Sequence, residues 1–193
     1  MTSEVNSWEA MSWLHEPHIW NIESDGSLTA KSGDKTDFWQ RTFYGFQRDD
    51  GHALLANRTG DFTASLTTHA AYTELYDQCG FMLRVSPEKW VKFGIEFTHG
   101  ETHLSCVVTD SVSDWSAAPI ALDGPLSLRM TRLGEAVLCH YLDAGTWRMA
   151  RLLPWPTSSS EVSVGPYLCS PEREGFEARF SNFRLTEPLQ TTL

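Results

Sequence analysis

The sequence contains no run of basic residues. Its 15 lysines and arginines stand against 25 aspartates and glutamates, a formal charge of −10. Nucleic acids and anionic membranes both require a positive footprint, so neither is expected as a partner. No apolar stretch approaches the roughly 20 residues of a membrane-spanning helix. The first residues, MTSEVNSWEAMSWLHEP, show no positive segment followed by an apolar one. A signal peptide is therefore not expected, and the cytoplasm is the expected location. Cysteine pairs are also missing. The four cysteines, at 79, 106, 139 and 169, lie far apart inside strand-like runs and form no Cys-x-x-Cys. Zinc ribbons and dithiol redox chemistry lose their basis, and reduced, buried thiols are expected. The chain has no nucleophile elbow of the Gly-x-Ser-x-Gly type and no glycine loop to cradle phosphates. Sustained helical periodicity is absent too. A short helical turn is expected only in loops such as that near Ser158–Glu161.

What the sequence has in quantity is period-two alternation, the mark of half-buried strands. In KWVKFGIEF the residues Val91, Phe93, Ile95 and Phe97 fall on one side. THLSCVVTD places Leu104, Cys106 and Val108 together, and PLSLRMTRL does the same for Leu126, Leu128 and Met130. Turn residues punctuate these runs: SDGS, RDDGH, HGE, LDGP, RLGEAV and LDAGTW. The last two read as tight hairpin connections. Around a dozen short strands exceed what one open sheet accommodates, so two sheets are expected, in one all-β antiparallel sandwich spanning residues 1–193. Eight tryptophans are a high count. Each buried indole needs a partner for its N–H, so some of the eight are expected to line a groove.

Five blocks carry a resemblance. TDFWQRTFYGF, YDQCGFMLR, WVKFGIEF, VVTDSVSDWS and VGPYLCSPEREGFEARFSNF occur in that order along nearly the whole chain. Together they resemble the regulation-of-enolase family of concanavalin A-like domains. The resemblance implies a jelly roll of two curved antiparallel sheets, as in legume lectins and certain glucanases, and it carries over no catalytic residue.

In such a sandwich, one face of each strand enters the core, and the other face of the concave sheet is open. Burial fixes the side taken by Val91, Phe93, Ile95 and Phe97, which turns Trp90, Lys92 and Glu96 to the open face. Gly94 stands between Lys92 and Glu96, and a mid-strand glycine marks close approach of a ligand or of another backbone. Phe81, Leu83 and Val85 suit the core and leave Arg84 outside. Leu128 and Met130 leave Arg129 outside, and Phe38 leaves Asp37, Trp39 and Arg41 outside. Asp77 and Gln78 reach the rim before a strand, and Asp114 and Trp115 come from a loop or strand end. Aromatic faces mixed with carboxylates, amides and cations suit sugars. The arginines and Lys92 also suit a sugar phosphate or sugar acid. Cross-strand ion pairs would account for the same charged residues, with the tryptophans capping the sheet.

Chemistry is less well supported. A retaining glycosidase needs two carboxyl groups about 5–5.5 Å apart, and this strand offers Glu96 alone on its open face. A neighbouring Lys92 is expected to lower the Glu96 pKa, against a general-acid role. His99 and His103 flank a turn and are expected to be exposed. Asp110 and Asp114 are the nearest approach to a calcium loop. No cofactor or metal is expected. The leading expectation is a binding domain for a carbohydrate or related polar metabolite. The alternatives are a protein-interaction module on a metabolic enzyme such as enolase, and a glycoside-active enzyme.

Overall fold

The computed structural model describes residues 7–43, 45–156 and 161–189. A single 3-10 turn at Trp8–Ala10 precedes β1 (Ser12–Leu14), β2 (Ile19–Ile22), β3 (Leu28–Lys31), β4 (Phe38–Gln40) and β5 (Gln47–Asp49). Then come β6 (His52–Arg58), β7 (Phe62–Ala70), β8 (Gln78–Ser86), β9 (Lys89–Thr98) and β10 (Glu101–Asp110). The order closes with β11 (Val112–Pro119), β12 (Leu126–Leu133), β13 (Ala136–Asp143), β14 (Thr146–Pro154), β15 (Val162–Cys169) and β16 (Glu177–Thr186).

These strands form two seven-stranded antiparallel sheets and a small ribbon. The first sheet runs β1-β6-β15-β8-β9-β10-β11, and the second β14-β13-β12-β7-β16-β3-β2. The ribbon is β4-β5. Tight turns join the meander strands. At His99–Gly100 and Ala144–Gly145 both residues take positive φ (53° and 81°; 45° and 81°), the conformation that matches the twist of a two-residue hairpin.

The alternation read from the sequence sets the core. Phe81, Leu83, Val91, Phe93, Ile95 and Cys106 of the first sheet meet Leu66, Leu128, Met130, Val137 and Phe180 of the second. Each fully buried side chain of this size contributes roughly 1.5–3 kcal/mol, which locks the register against a one-residue slip. The four cysteines are free and buried.

Four expectations need correction. Phe97, near the end of β9, is only partly buried and lies outside the core cluster that holds Val91, Phe93 and Ile95. Phe38 is fully buried but not between the sheets. It belongs to a second cluster, with Trp90, Met82 and Tyr167, on the outer face of the first sheet. Val85 is 43% exposed, because a bulge between Arg84 and Ser86 breaks the alternation. His103 is buried within β10 rather than exposed at a turn. The helical turn expected near Ser158–Glu161 falls on a stretch, 157–160, outside the described residues.

Candidate functional site

The outer face of the first sheet is built in cross-strand rows. Gln78 of β8 lies opposite Glu96 of β9, which faces His103 of β10. In the next row Tyr167, Gly80, Gly94 and Ser105 run across β15, β8, β9 and β10. Beyond it Met82, Lys92, Val107 and Trp115 follow one another, and then Arg84, Trp90 and Thr109. The Gly80–Gly94 pair puts no side chain on the middle of this face.

The β4-β5 ribbon covers one end of the rows. Its Phe38 ring lies 6.1 Å from Trp90 at a 60° tilt. Backbone N–H of Gln40 donates to Ser113 Oγ at 2.9 Å, and the Gln40 side chain donates to the Pro87 carbonyl at 3.1 Å. These bonds sew the ribbon to β11 and to the β8–β9 turn. Trp90 is therefore fully buried and donates its indole N–H to Pro87 O at 3.1 Å. It supports the ribbon and offers no face to a ligand.

Beneath the ribbon lies a charged cluster. Lys92 Nζ donates to Asp37 Oδ1 at 3.0 Å, with only 3% of the lysine side chain exposed. Phe38 N–H and the Cys169 thiol donate to the same oxygen at 2.7 and 3.7 Å. Glu96, also buried, accepts from Ser105 Oγ at 2.6 Å, and Ser105 in turn accepts the Trp115 indole N–H at 3.1 Å. Burial alone would depress the Lys92 ammonium, but Asp37, Cys169 and Glu96 outweigh it and its pKa rises. Burial raises the Glu96 carboxyl above its ordinary range, and Lys92 and Ser105 recover only part of that shift. The expected lowering by Lys92 is thus present but smaller than the cost of desolvation.

Gln78 carries the clearest unmet demand. It is 2% exposed; its Nε2 donates to Tyr76 O at 3.2 Å, and its Oε1 has no hydrogen-bond partner. At the rim, Tyr76 meets Trp115 edge-on with ring centroids 6.5 Å apart. Trp115 is 39% exposed.

The structure brings Asp37, Lys92, Glu96, Gln78 and Trp115 together. The remaining candidates are engaged elsewhere. Arg84 forms a bidentate pair with Asp49, both contacts 2.7 Å. Arg41 pairs with Glu88, and Trp39 donates to Thr42 O. Asp114 pairs with Arg151 at 3.5 Å and Asp110 with Lys89 at 3.2 Å, on the two strands of one hairpin rather than in a cation loop. Arg129 belongs to the second sheet, on β12. The sequence reading passed over Tyr167, Cys169 and Ser105, although the parity of VSVGPYLC and of β10 assigns all three to this face.

Asp77 is fully buried and binds Arg173 through both oxygens, the N–H groups of Thr73 and Glu74, and Ser170. Burial raises its pKa, but Arg173 and these donors outweigh burial, and the net shift is downward. A lowered carboxyl stabilises the fold above the unfolded value of about 3.9, and that contribution is lost as pH falls through the folded value. Asp77→Asn is expected to cost about 1–2 kcal/mol at neutral pH. Guanidinium unfolding at neutral pH and below pH 4 should show the gap to wild type shrinking in acid. A gap that stays constant would mean the charge contributes nothing.

The two stacked seven-stranded antiparallel sheets form a concanavalin A-like β-sandwich. The chain belongs to the family described as protein of unknown function (DUF1349), matched over residues 13–188. It is 41% identical over 183 residues to regulation of enolase protein 1 of Saccharomyces cerevisiae, covering 94% of this chain and 91% of that one. The crystal structure of a functionally unknown protein from S. cerevisiae superposes with a TM-score of 0.90 at 38% identity, covering 96% of this chain and 100% of the other. A xylan β-1,4-xylosidase from Bacillus halodurans superposes with a TM-score of 0.73 at 13% identity. There the match covers 94% of this chain but 38% of the larger enzyme, a likeness of fold.

Proposed function

We propose that this protein is a cytosolic binding domain whose first sheet takes a small, neutral, carbohydrate-like ligand on its outer face, over the Gly80–Gly94 pair. The observation that carries this reading is Gln78 Oε1, a buried acceptor with no partner among the described residues. An unmet buried acceptor of this kind costs about 1–3 kcal/mol, and a ligand hydroxyl would relieve it. Trp115 at the rim offers a partly exposed ring for the apolar face of a sugar. Neutrality follows from the pairing of the nearby cations: Lys92 is held by Asp37, Arg84 by Asp49 and Arg41 by Glu88. None is left to attract a phosphate or carboxylate, so sugar phosphates and sugar acids fit less well than neutral sugars.

Tryptophan-fluorescence titration against neutral sugars, sugar acids and sugar phosphates tests this. Saturable quenching by a neutral sugar is expected in wild type, weakened about tenfold or more in Gln78→Met and in Trp115→Leu. Silence across the panel from folded protein overturns the reading. Preference for sugar phosphates would overturn its neutrality.

A second reading, an interaction module acting on an enzyme such as enolase, draws on the name of the yeast relative. It also draws on the loop joining β4 to β5, where Phe43 is 83% and Phe46 42% exposed. Arg41 and Phe43 in that loop take positive φ of 62° and 77°, a conformation that carries a cost for residues other than glycine. Binding to enolase that is lost in Phe43→Ser and kept in Gln78→Met would favour it.

A further inference from the structure

On the outer face of the second sheet, Arg129 has no counter-charge among the described residues. Arg129 of β12 sits between Ser65 of β7 and His140 of β13. Its guanidinium carbon lies 4.5 Å from the centroid of Trp147. The side chain is half-buried, and its Nε is shut off from solvent without a hydrogen-bond partner. Eight of the eleven arginines form an ion pair with a carboxylate, whereas Arg129 and its neighbour across β7, Arg184, form none among the described residues.

Its neighbours are unmet as well. His140 is 7% exposed, and its Nδ1 is buried without a partner. Burial and then Arg129 lower its pKa, so the ring is neutral at pH 7. Arg129 is the charged group facing it from β12. Met149 flanks it from β14, and beyond Arg129 come Ser65 and then Arg184 of β16. Thr67 and Ser127, one row away, share a hydrogen bond of 2.9 Å and add hydroxyls to the floor. Charges are removed from water at a steep cost unless they are answered. A guanidinium held over an indole ring keeps its terminal N–H groups available to a planar or tetrahedral oxyanion.

We propose that Arg129, stacked on Trp147 and beside His140, anchors a binding site for a carboxylate or phosphate group on the sheet opposite the carbohydrate-like site. The oxyanion would receive the guanidinium N–H groups, and His140 would take up a proton and become a second donor.

The test follows the His140 Cε1–H resonance by NMR while inorganic phosphate or succinate is added, with sodium chloride of matched ionic strength as control. The assignment comes from His140→Gln. A saturable shift is expected with either oxyanion or both, together with a raised His140 pKa. In Arg129→Gln the apparent affinity should fall about tenfold or more, the loss of one charge-assisted contact. Arg129→Lys, which keeps the charge without the fork, should fall between. Phosphate alone would assign the site to phosphoryl groups, and succinate alone to carboxylates. A shift that sodium chloride reproduces, or one of equal strength in folded Arg129→Gln, overturns the proposal.

Discussion

Replacing Lys92 by Met is expected to destabilise the protein by about 3–5 kcal/mol, the cost of removing one member of a buried ion pair. For a chain of this size that is a fall of roughly 6–20 °C in Tm. The lysine is 3% exposed and is the cation between two carboxyl-bearing side chains, Asp37 at 3.0 Å and Glu96 on its own strand. Methionine fills the volume, so the loss reports charge rather than packing. Asp37 would then lie buried with only the Phe38 N–H, the Cys169 thiol and no cation. Combining Lys92→Met with Asp37→Asn should recover much of the loss, because the charge left behind causes it. Chemical unfolding of the single and double variants measures the coupling. A single variant within about 1 kcal/mol of wild type, or a double variant no better than the single, would refute a buried, ionised cluster.

Much of this cluster could be read in advance, and the reason lies in β9. Val91, Phe93 and Ile95 bury on one side with a period of two, so Lys92, Gly94 and Glu96 had to share the other. What alternation cannot give is what lies above a face. Trp90 has the parity of a groove residue, but the ribbon carrying Phe38 folds over it. That ribbon has two three-residue strands, too short to leave a periodic trace. The same limit misplaced Arg129. Its parity turns it away from the core, as expected, but nothing local tells which of two sheets will recruit β12. Val85 failed for a different cause, since one bulge shifts every later side chain. Tyr167 and Ser105 were legible by parity, yet their pairing with Gly80 and Gly94 depends on contacts between β15, β8, β9 and β10.

This arrangement also bears on function. The covered end of the face is fixed by rings and paired charges, and the Gln78–Glu96 end keeps an unmet acceptor beside an exposed indole. The proposed ligand would meet side chains there that the ribbon and ion pairs have already ordered.

Gly94→Ala is expected to destabilise by about 3 kcal/mol or more, at or above the upper end of what overpacking costs. Intrinsic preference has the opposite sign, since Ala in a strand is favoured over Gly by roughly 0.5–1 kcal/mol. The geometry decides between them. A Cβ on Gly94 would lie 2.2 Å from the carbonyl oxygen of Cys79 and 2.7 Å from Gly80 Cα. A Cβ on Gly80 would lie 2.3 Å from Phe93 O. The obstacles are backbone atoms at the centre of the sheet, flanked by Phe81 and Phe93 in the core, so no side chain can swing aside. The strands must part, and the ladder between β8 and β9 must stretch. The close approach that a mid-strand glycine signalled is therefore that of another backbone, and the bare patch above it follows from the same contact. The unfolding midpoint of Gly94→Ala measures the sign directly. A variant as stable as wild type or better would mean the two strands are not pressed together, and the bare patch would lose its structural cause.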